Sequence, residues 1–166
     1  MSWKVALVRL IYWFRGFSED PVKLFKAIGV ESDDEILEIG CAVGFHTLAL
    51  ADLAVDGKVH AVDIWQEGLD YLRDRTKAAG NVEVLCCSAE SIELPQSSLD
   101  KIVCFDTLHE IAKPDQALRK WVGFLKTDGK LLFKDPEISP ETIKTFSEGK
   151  LHREKEVNGV HVFIKK

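Results

Sequence analysis

The sequence predicts a doubly wound α/β fold, a three-layer sandwich around a mostly parallel sheet of seven strands. Short apolar runs alternate with helical segments along the chain. These runs lack the strict polar alternation of half-exposed strands, as expected where helices cover both faces of a parallel sheet. Two strand-like runs near the end flank Asn158-Gly159, a strong hairpin signal. The sheet should therefore finish with a C-terminal antiparallel hairpin.

The individual elements follow from local signals. An amphipathic helix is predicted from residue 3 to 15, and a second helix begins at Pro21 and ends before Gly29, at residues 21–28. The five central strands are expected at 35–39, 58–62, 82–86, 101–105 and 130–134. The helices between and after them are expected at 45–53, 65–79, 114–125 and 140–148. The hairpin strands are expected at 151–156 and 160–164.

Length and charge limit the possible functions. The 166 residues are 46% hydrophobic, enough for one domain with a real core, here 1–166 with residues 1–30 as an N-terminal helical cap. The net charge of −5 argues against a nucleic-acid partner. The four cysteines show no CxxC spacing and no histidine cluster, so we expect no metal and reduced thiols typical of a cytoplasmic protein.

The N-terminal helix is the most apolar part of the chain, but Lys4, Arg9 and Arg15 interrupt it. It is too short to cross a bilayer, which takes about 20 apolar residues. Packing on the domain is the favoured interpretation. Peripheral membrane contact, a homodimer through this helix and a lid over a pocket are the alternatives.

The residues between the first strand and its helix form the pattern Glu38-x-Gly40-x-Ala42-x-Gly44. Glycines allow tight turning and close approach of a ligand to the backbone, and the helix that follows offers free N–H groups. The spacing differs from the GxGxxG of dinucleotide-binding folds. A carboxylate at position 38 would repel a pyrophosphate but could pair with an ammonium group.

This segment resembles the first motif of class I (Rossmann-like) S-adenosylmethionine-dependent methyltransferases, an acid followed by three spaced glycines. Glu38, Gly40 and Gly44 match the motif, Ala42 stands in place of the middle glycine, and Cys41 completes the turn. The nearest neighbourhood is the small-molecule type, with the ubiquinone/menaquinone-biosynthesis-type enzymes. The resemblance covers roughly residues 20–135.

The resemblance extends to the next two strands. Asp63, which follows the second strand, matches the acid that holds the ribose hydroxyls, and Ile64 matches the apolar residue on the adenine face. Ser88, Ala89 and Glu90 fall where many relatives carry Asp-Ala-Glu. Ser88 replaces the acid and would accept from the adenine amino group more weakly.

The fourth-strand region is similar to the Phe-Asp-x-Val and Leu-His-Glu motifs of the small-molecule subgroup. Cys104 is expected to line the site through its backbone, while Asp106 and His109 are the candidates for a general base. S-adenosylmethionine carries an activated methyl group, so alignment of the reactants supplies most of the catalysis and a base is optional.

The resemblance implies S-adenosylmethionine-dependent methylation of a small, hydrophobic acceptor. For the lid alternative, the hypothesis is that residues 3–17 fold over the cofactor site and supply apolar walls from Trp3, Tyr12, Trp13 and Phe14. A methyltransferase-like binding protein that acts through a partner is the main alternative. A nicotinamide oxidoreductase is disfavoured by the glycine spacing. An arsenic-type methyltransferase would need Cys41, Cys87 and Cys104 to converge.

Overall fold

The computed structural model describes residues 3–15 and 20–166, without the side chains of residues 9 and 11–15. The helices are α1 (Trp3–Arg15), α2 (Pro21–Ile28), α3 (Phe45–Leu53), α4 (Gln66–Thr76), α5 (Pro114–Phe124) and α6 (Pro140–Phe146), with a short 3-10 turn at Leu108–Glu110. The strands are β1 (Glu35–Ile39), β2 (Lys58–Asp63), β3 (Val82–Cys86), β4 (Leu99–Phe105), β5 (Leu125–Lys134), β6 (Leu151–Val157) and β7 (Val160–Lys165).

The strands form one seven-stranded sheet in the order β3-β2-β1-β4-β5-β7-β6. Strands β1 to β5 are parallel, and β7 runs antiparallel to both β5 and β6. Ile39 is in register with Val62 on one side and Cys104 on the other. The carboxyl ends of β1, β2 and β4 therefore meet at one edge of the sheet. This architecture confirms the predicted fold class.

Helix α2 shows how local sequence sets an element boundary. The Asp20 carboxylate accepts from the Lys23 amide at 3.1 Å, and Pro21 occupies the first turn, where no N–H donor is needed. Gly29 ends the helix in the left-handed conformation, with φ 98°. The predicted bounds of this helix are confirmed.

Two apolar layers hold α2, α3, α5 and α6 against the sheet, and a smaller cluster with Leu69 and Leu72 holds α4. One contains Trp121 of α5, which is fully buried beside β4 and β5. The other joins Phe25 of α2 to Leu50 of α3 and to β1, β4 and β7. Helix α2 is therefore part of the core.

Strand β5 begins at Leu125, five residues before the predicted start. Leu125 pairs with Leu99, and the register between β4 and β5 then shifts. Asp128 has a positive φ of 63°, so the segment that looks like a turn in the sequence is a bulge inside the strand. Helix α4 ends at Thr76, earlier than predicted.

Candidate active site

A cavity of about 430 Å³ opens at the carboxyl edge of the parallel strands. Its walls come from the β1–α3 turn, the ends of β2 and β4, and the segments that follow β3 and β4. The lining residues are Ile39, Gly40, Cys41, Ala42, Phe45, His46, Val62, Asp63, Ile64, Cys87, Ser88, Ala89, Glu90, Phe105, Asp106, Thr107, Glu110, Ile111 and Ala112. Ligands of open α/β sheets bind at this edge.

The β1–α3 turn needs small residues. Gly40, Ala42 and Gly44 have positive φ angles of 77°, 48° and 84°. A Cβ atom at Gly40 would overlap the Thr107 side chain, and one at Gly44 would overlap Leu72. Ala42 adopts the left-handed conformation despite its Cβ atom, which costs about 1–2 kcal/mol. The turn is thus packed tightly under the cavity.

Asp63 ties this turn to the end of β2. Its Oδ2 accepts from the Ala42 amide and its Oδ1 from the Trp65 amide, both at 2.8 Å. Each carboxylate oxygen has a second lone pair, so Asp63 can still accept hydrogen bonds from a ligand. The side chain is half-buried and lines the cavity. It therefore orders the turn and presents an acceptor to the cavity.

Glu38 lies beneath the turn and does not line the cavity. Its side chain is buried and accepts a hydrogen bond of 2.6 Å from the Thr47 hydroxyl of α3. Burial raises the pKa of Glu38 to about 7; the negative charge of Asp63 acts in the same direction, and the Thr47 hydrogen bond opposes both. This carboxyl group therefore keeps its proton to a higher pH than an exposed glutamate does.

The ends of β2 and β3 form a second wall. Ile64 lines the cavity, yet 74% of its surface is exposed. The Cys87 amide donates to the Asp63 carbonyl at 3.1 Å, and the Trp121 indole donates to the Ala89 carbonyl at 2.9 Å. These bonds fix the backbone that carries Ser88 and leave the Ile64 side chain available to a ligand.

The wall beyond β4 is strained and polar. Asp106 lines the cavity with a positive φ of 50°, and its amide donates to the Lys134 carbonyl at 2.7 Å. The Thr107 hydroxyl donates to the Phe105 carbonyl at 2.7 Å. Residues held in sparsely populated conformations are often found at functional sites, and this one lies on the wall of the cavity.

His109 lies next to this wall but not among the residues that line the cavity. Its Nδ1 lies 3.0 Å from Oδ2 of Asp135, whose side chain is fully buried, and its amide donates to the same oxygen at 3.2 Å. The hydrogen bond to Asp135 raises the pKa of His109. Burial opposes ionisation of Asp135, but hydrogen bonds from His109 and the Glu137 amide hold its pKa below the usual value.

Nε2 of His109 lies 3.9 Å from Oε1 of Glu110, which does line the cavity. Asp135, His109 and Glu110 therefore form a short series of ionisable groups that ends at the cavity wall.

Most of the residues predicted for the site meet in this cavity. Those that line it are Gly40, Cys41, Ala42, Asp63, Ile64, Ser88, Ala89, Glu90 and Asp106. Those placed outside the lining are Glu38, Gly44, Cys104 and His109. Their roles toward a ligand stay predictions.

The three cysteines considered for a metalloid site do not converge on the cavity. Cys104 is buried behind the wall, whereas Cys41 and Cys87 line it. Burial raises the pKa of Cys41 and of Cys104, which opposes formation of the reactive thiolate. Within residues 3–15 and 20–166, no group of three metal-binding side chains comes together.

The prediction that Trp3 supplies a wall is wrong, because its side chain is 72% exposed and does not line the cavity. Helix α1 rests on α4 instead. Three other residues of α1 were predicted to supply walls. Their side chains lie outside the described ones: Tyr12, Trp13 and Phe14.

Sequence reasoning missed the aromatic floor of the cavity. The His46 ring lies 5.0 Å from the Phe45 ring, 5.1 Å from Phe105 and 5.9 Å from Phe25, in edge-to-face contacts. It also missed Thr107, Ile111 and Ala112. Their positions just after Gly44 and just after β4 were the available signal, since the ends of neighbouring parallel strands share an edge.

The strand order and the cavity at the β1–α3 turn define a Rossmann-like α/β fold of the class I methyltransferase type. A family model described as "Methyltransferase domain" matches residues 37–133, more than half of the chain. The chain belongs to this methyltransferase-domain family. This confirms the resemblance found in the sequence at the level of family and fold.

Named relatives agree with this family. A malonyl-[acyl-carrier protein] O-methyltransferase of Acetivibrio thermocellus is 34% identical over 99 residues, covering 60% of this chain and 34% of that protein. The ubiquinone/menaquinone biosynthesis C-methyltransferase UbiE of Azotobacter vinelandii is 32% identical over 108 residues, covering 63% of this chain and 43% of that protein. The chain therefore spans less than half the length of these relatives.

A solved structure supports the fold over most of both chains. The SAM-dependent methyltransferase from Aquifex aeolicus superimposes with a TM-score of 0.72 and 24% identity, covering 87% of this chain and 88% of that one.

Proposed function

We propose that this protein binds S-adenosylmethionine in the cavity and transfers its methyl group to a small, apolar acceptor. The observation that carries the proposal is a cavity of about 430 Å³ that is lined by Asp63 and Ile64 at the end of β2, by the β1–α3 turn, and by Asp106 after β4. A volume in this range suits a cofactor with a small second ligand.

The residues present fit the cofactor. Asp63 retains lone pairs for the ribose hydroxyls, and exposed Ile64 offers an apolar surface to the adenine. Helix α3 begins at Phe45, and its N-cap residue Gly44 supplies no side-chain hydrogen bond, so the first-turn N–H groups suit the carboxylate of the cofactor. Gly40 keeps the turn close to Thr107, where a larger residue would not fit.

When bound, the cofactor supplies an electrophilic methyl group, and the chain has to align the acceptor with it. The acceptor side of the cavity contains Phe45, Phe105 and Ile111, which favour an apolar ligand. Asp106 and Glu110 provide oxygens that can take a proton from a protic acceptor. The two named relatives, an O- and a C-methyltransferase, support screening both kinds of acceptor atom.

Isothermal titration of the purified protein with S-adenosylmethionine and S-adenosylhomocysteine, with NADH as a control, tests the proposal. The matched variants are Ile64→Ala in the cavity and Val55→Ala in the turn between α3 and β2, because both side chains are largely exposed, at 74% and 61%. We expect Ile64→Ala to weaken cofactor binding about tenfold through lost apolar burial, while Val55→Ala changes nothing.

Equal effects of the two variants would contradict the assigned adenine surface, and binding of NADH alone would overturn the cofactor assignment. Cofactor binding without turnover across phenol, carboxyl and activated-carbon acceptors would support a binding protein that acts through a partner. We also place the enzyme in the cytoplasm, because the buried free thiols of Cys41 and Cys104 suit a reducing compartment.

A further inference from the structure

Helix α1 exposes an apolar stripe. Trp3, Leu7 and Leu10 are 72%, 47% and 50% exposed. Their spacing of four and three residues places them on one face of the helix. Val5, at 2% exposure, is turned toward the body of the protein, where α1 rests on α4. The stripe therefore points away from the rest of the described chain.

The charges of α1 differ from those of the protein as a whole. Residues 3–15 contain Lys4, Arg9 and Arg15 and no acidic residue, while the chain carries a net charge of −5. The exposed Lys4 lies next to the stripe in sequence. A cationic helix with an exposed apolar stripe on an acidic domain has a strongly uneven charge distribution.

We propose that α1 is a docking surface for anionic lipid bilayers, with Trp3, Leu7 and Leu10 entering the headgroup region and Lys4 contacting lipid phosphates. Apolar burial and attraction to anionic lipids are the two terms that bind interfacial helices. No helix among the described residues is long and apolar enough to cross a membrane. In the proposed complex helix α1 lies along the bilayer surface.

Charge complementarity favours lipid over a second copy of this chain. A symmetric dimer through the stripe would bring two cationic helices together without any acid of their own to pair them. An anionic bilayer instead neutralises the helix and repels the acidic domain, so that the protein sits with α1 toward the lipid. The inference does not depend on the proposed methyltransferase activity.

The test is co-sedimentation of the full chain with phosphatidylcholine vesicles, with and without phosphatidylserine. We expect binding only to the vesicles with phosphatidylserine, and weaker binding as salt rises. The double variant Leu7→Glu with Leu10→Glu should lose at least about tenfold in partitioning, since it removes two apolar contacts and adds two negative charges. The control Val55→Glu, at an exposed apolar position outside α1, should partition like the wild type.

Quenching of tryptophan fluorescence by brominated acyl chains gives an independent readout. The quenching should be weaker in Trp3→Phe than in the wild type, whereas fully buried Trp121 should not contribute to it. Each variant and the wild type are also titrated with S-adenosylhomocysteine. A variant that binds it like the wild type has lost only the docking surface, and one that binds it more weakly has a disturbed domain. No binding by any of the proteins means that the cofactor assignment has failed.

Failure of the wild type to bind either vesicle would overturn the proposal, as would equal losses in the α1 variant and the Val55→Glu control. A lipid-free dimer that the α1 double variant dissolves would also overturn it, and would assign the stripe to a second copy of the chain.

Discussion

Replacing Glu38 by Gln should change how the stability of this domain depends on pH. Glu38 is buried under the β1–α3 turn, where burial raises its pKa from 4.5 to about 7. That increase corresponds to about 3 kcal/mol of free energy for ionising the group in the folded state. Glutamine keeps the shape of the side chain and an oxygen that can accept from the Thr47 hydroxyl, but it does not ionise.

The sign follows from the direction of the pKa change. The folded state binds the Glu38 proton more tightly than the unfolded chain, so this stabilisation is complete below pH 4.5. It is lost as the pH rises toward 7, the pKa in the folded state, and is absent above it. The wild type should therefore lose stability relative to Glu38→Gln over this range, by up to about 3 kcal/mol.

Urea denaturation of both proteins from about pH 5 to about pH 8 measures this difference directly. Other titrating groups affect the two proteins alike, so the difference between the two curves isolates Glu38. Thr47→Val serves as the matched control, because it keeps the carboxyl group and removes the hydrogen bond that lowers its pKa. This variant should therefore still lose stability as the pH rises. Parallel curves for the wild type and Glu38→Gln would refute the reasoning.

Two further predictions follow from the site. Gly40→Ala should cost more stability than Gly80→Ala by about 1–3 kcal/mol in thermal or urea unfolding, because both have positive φ but only a Cβ at Gly40 overlaps a neighbour, the Thr107 side chain. Equal costs would mean that Thr107 moves aside freely. Asp135→Asn should lower the pKa of His109, measured by NMR titration of its ring protons, because it removes the charged hydrogen-bond partner. An unchanged titration would show that the Asp135–His109 pair does not persist in solution.

The fold was predictable because its signals are local. Asp20, Pro21 and Gly29 set the bounds of α2, and the apolar runs set the central strands. The start of β5 was not predictable in this way. Its first residues are of the turn-forming type, but Leu125 pairs with Leu99 before the register between β4 and β5 shifts.

The candidate site also has a part that local sequence predicts and a part that it does not. The turn residues and Asp63 could be placed because spacing after a strand implies a position at the carboxyl edge. The pairing of His109 with Asp135 could not, since the two are 26 residues apart and meet only because β5 lies beside β4. The burial of Glu38 was equally hidden, because it depends on Thr47 and on how α3 covers the strand.

If the proposed function holds, we expect the segment after β4 to contribute to acceptor selectivity. Trp3 is exposed and does not line the cavity, so it does not supply the apolar wall expected of it. Phe105, Thr107 and Ile111 all come from the end of β4 and the residues just beyond it, and this segment also carries His109 next to Asp135. Apolar contacts and proton acceptors thus come from one short stretch held between β4 and β5. Substitutions in this segment should change which acceptor is used. They should leave cofactor affinity unchanged, because that affinity is assigned to Asp63 and Ile64.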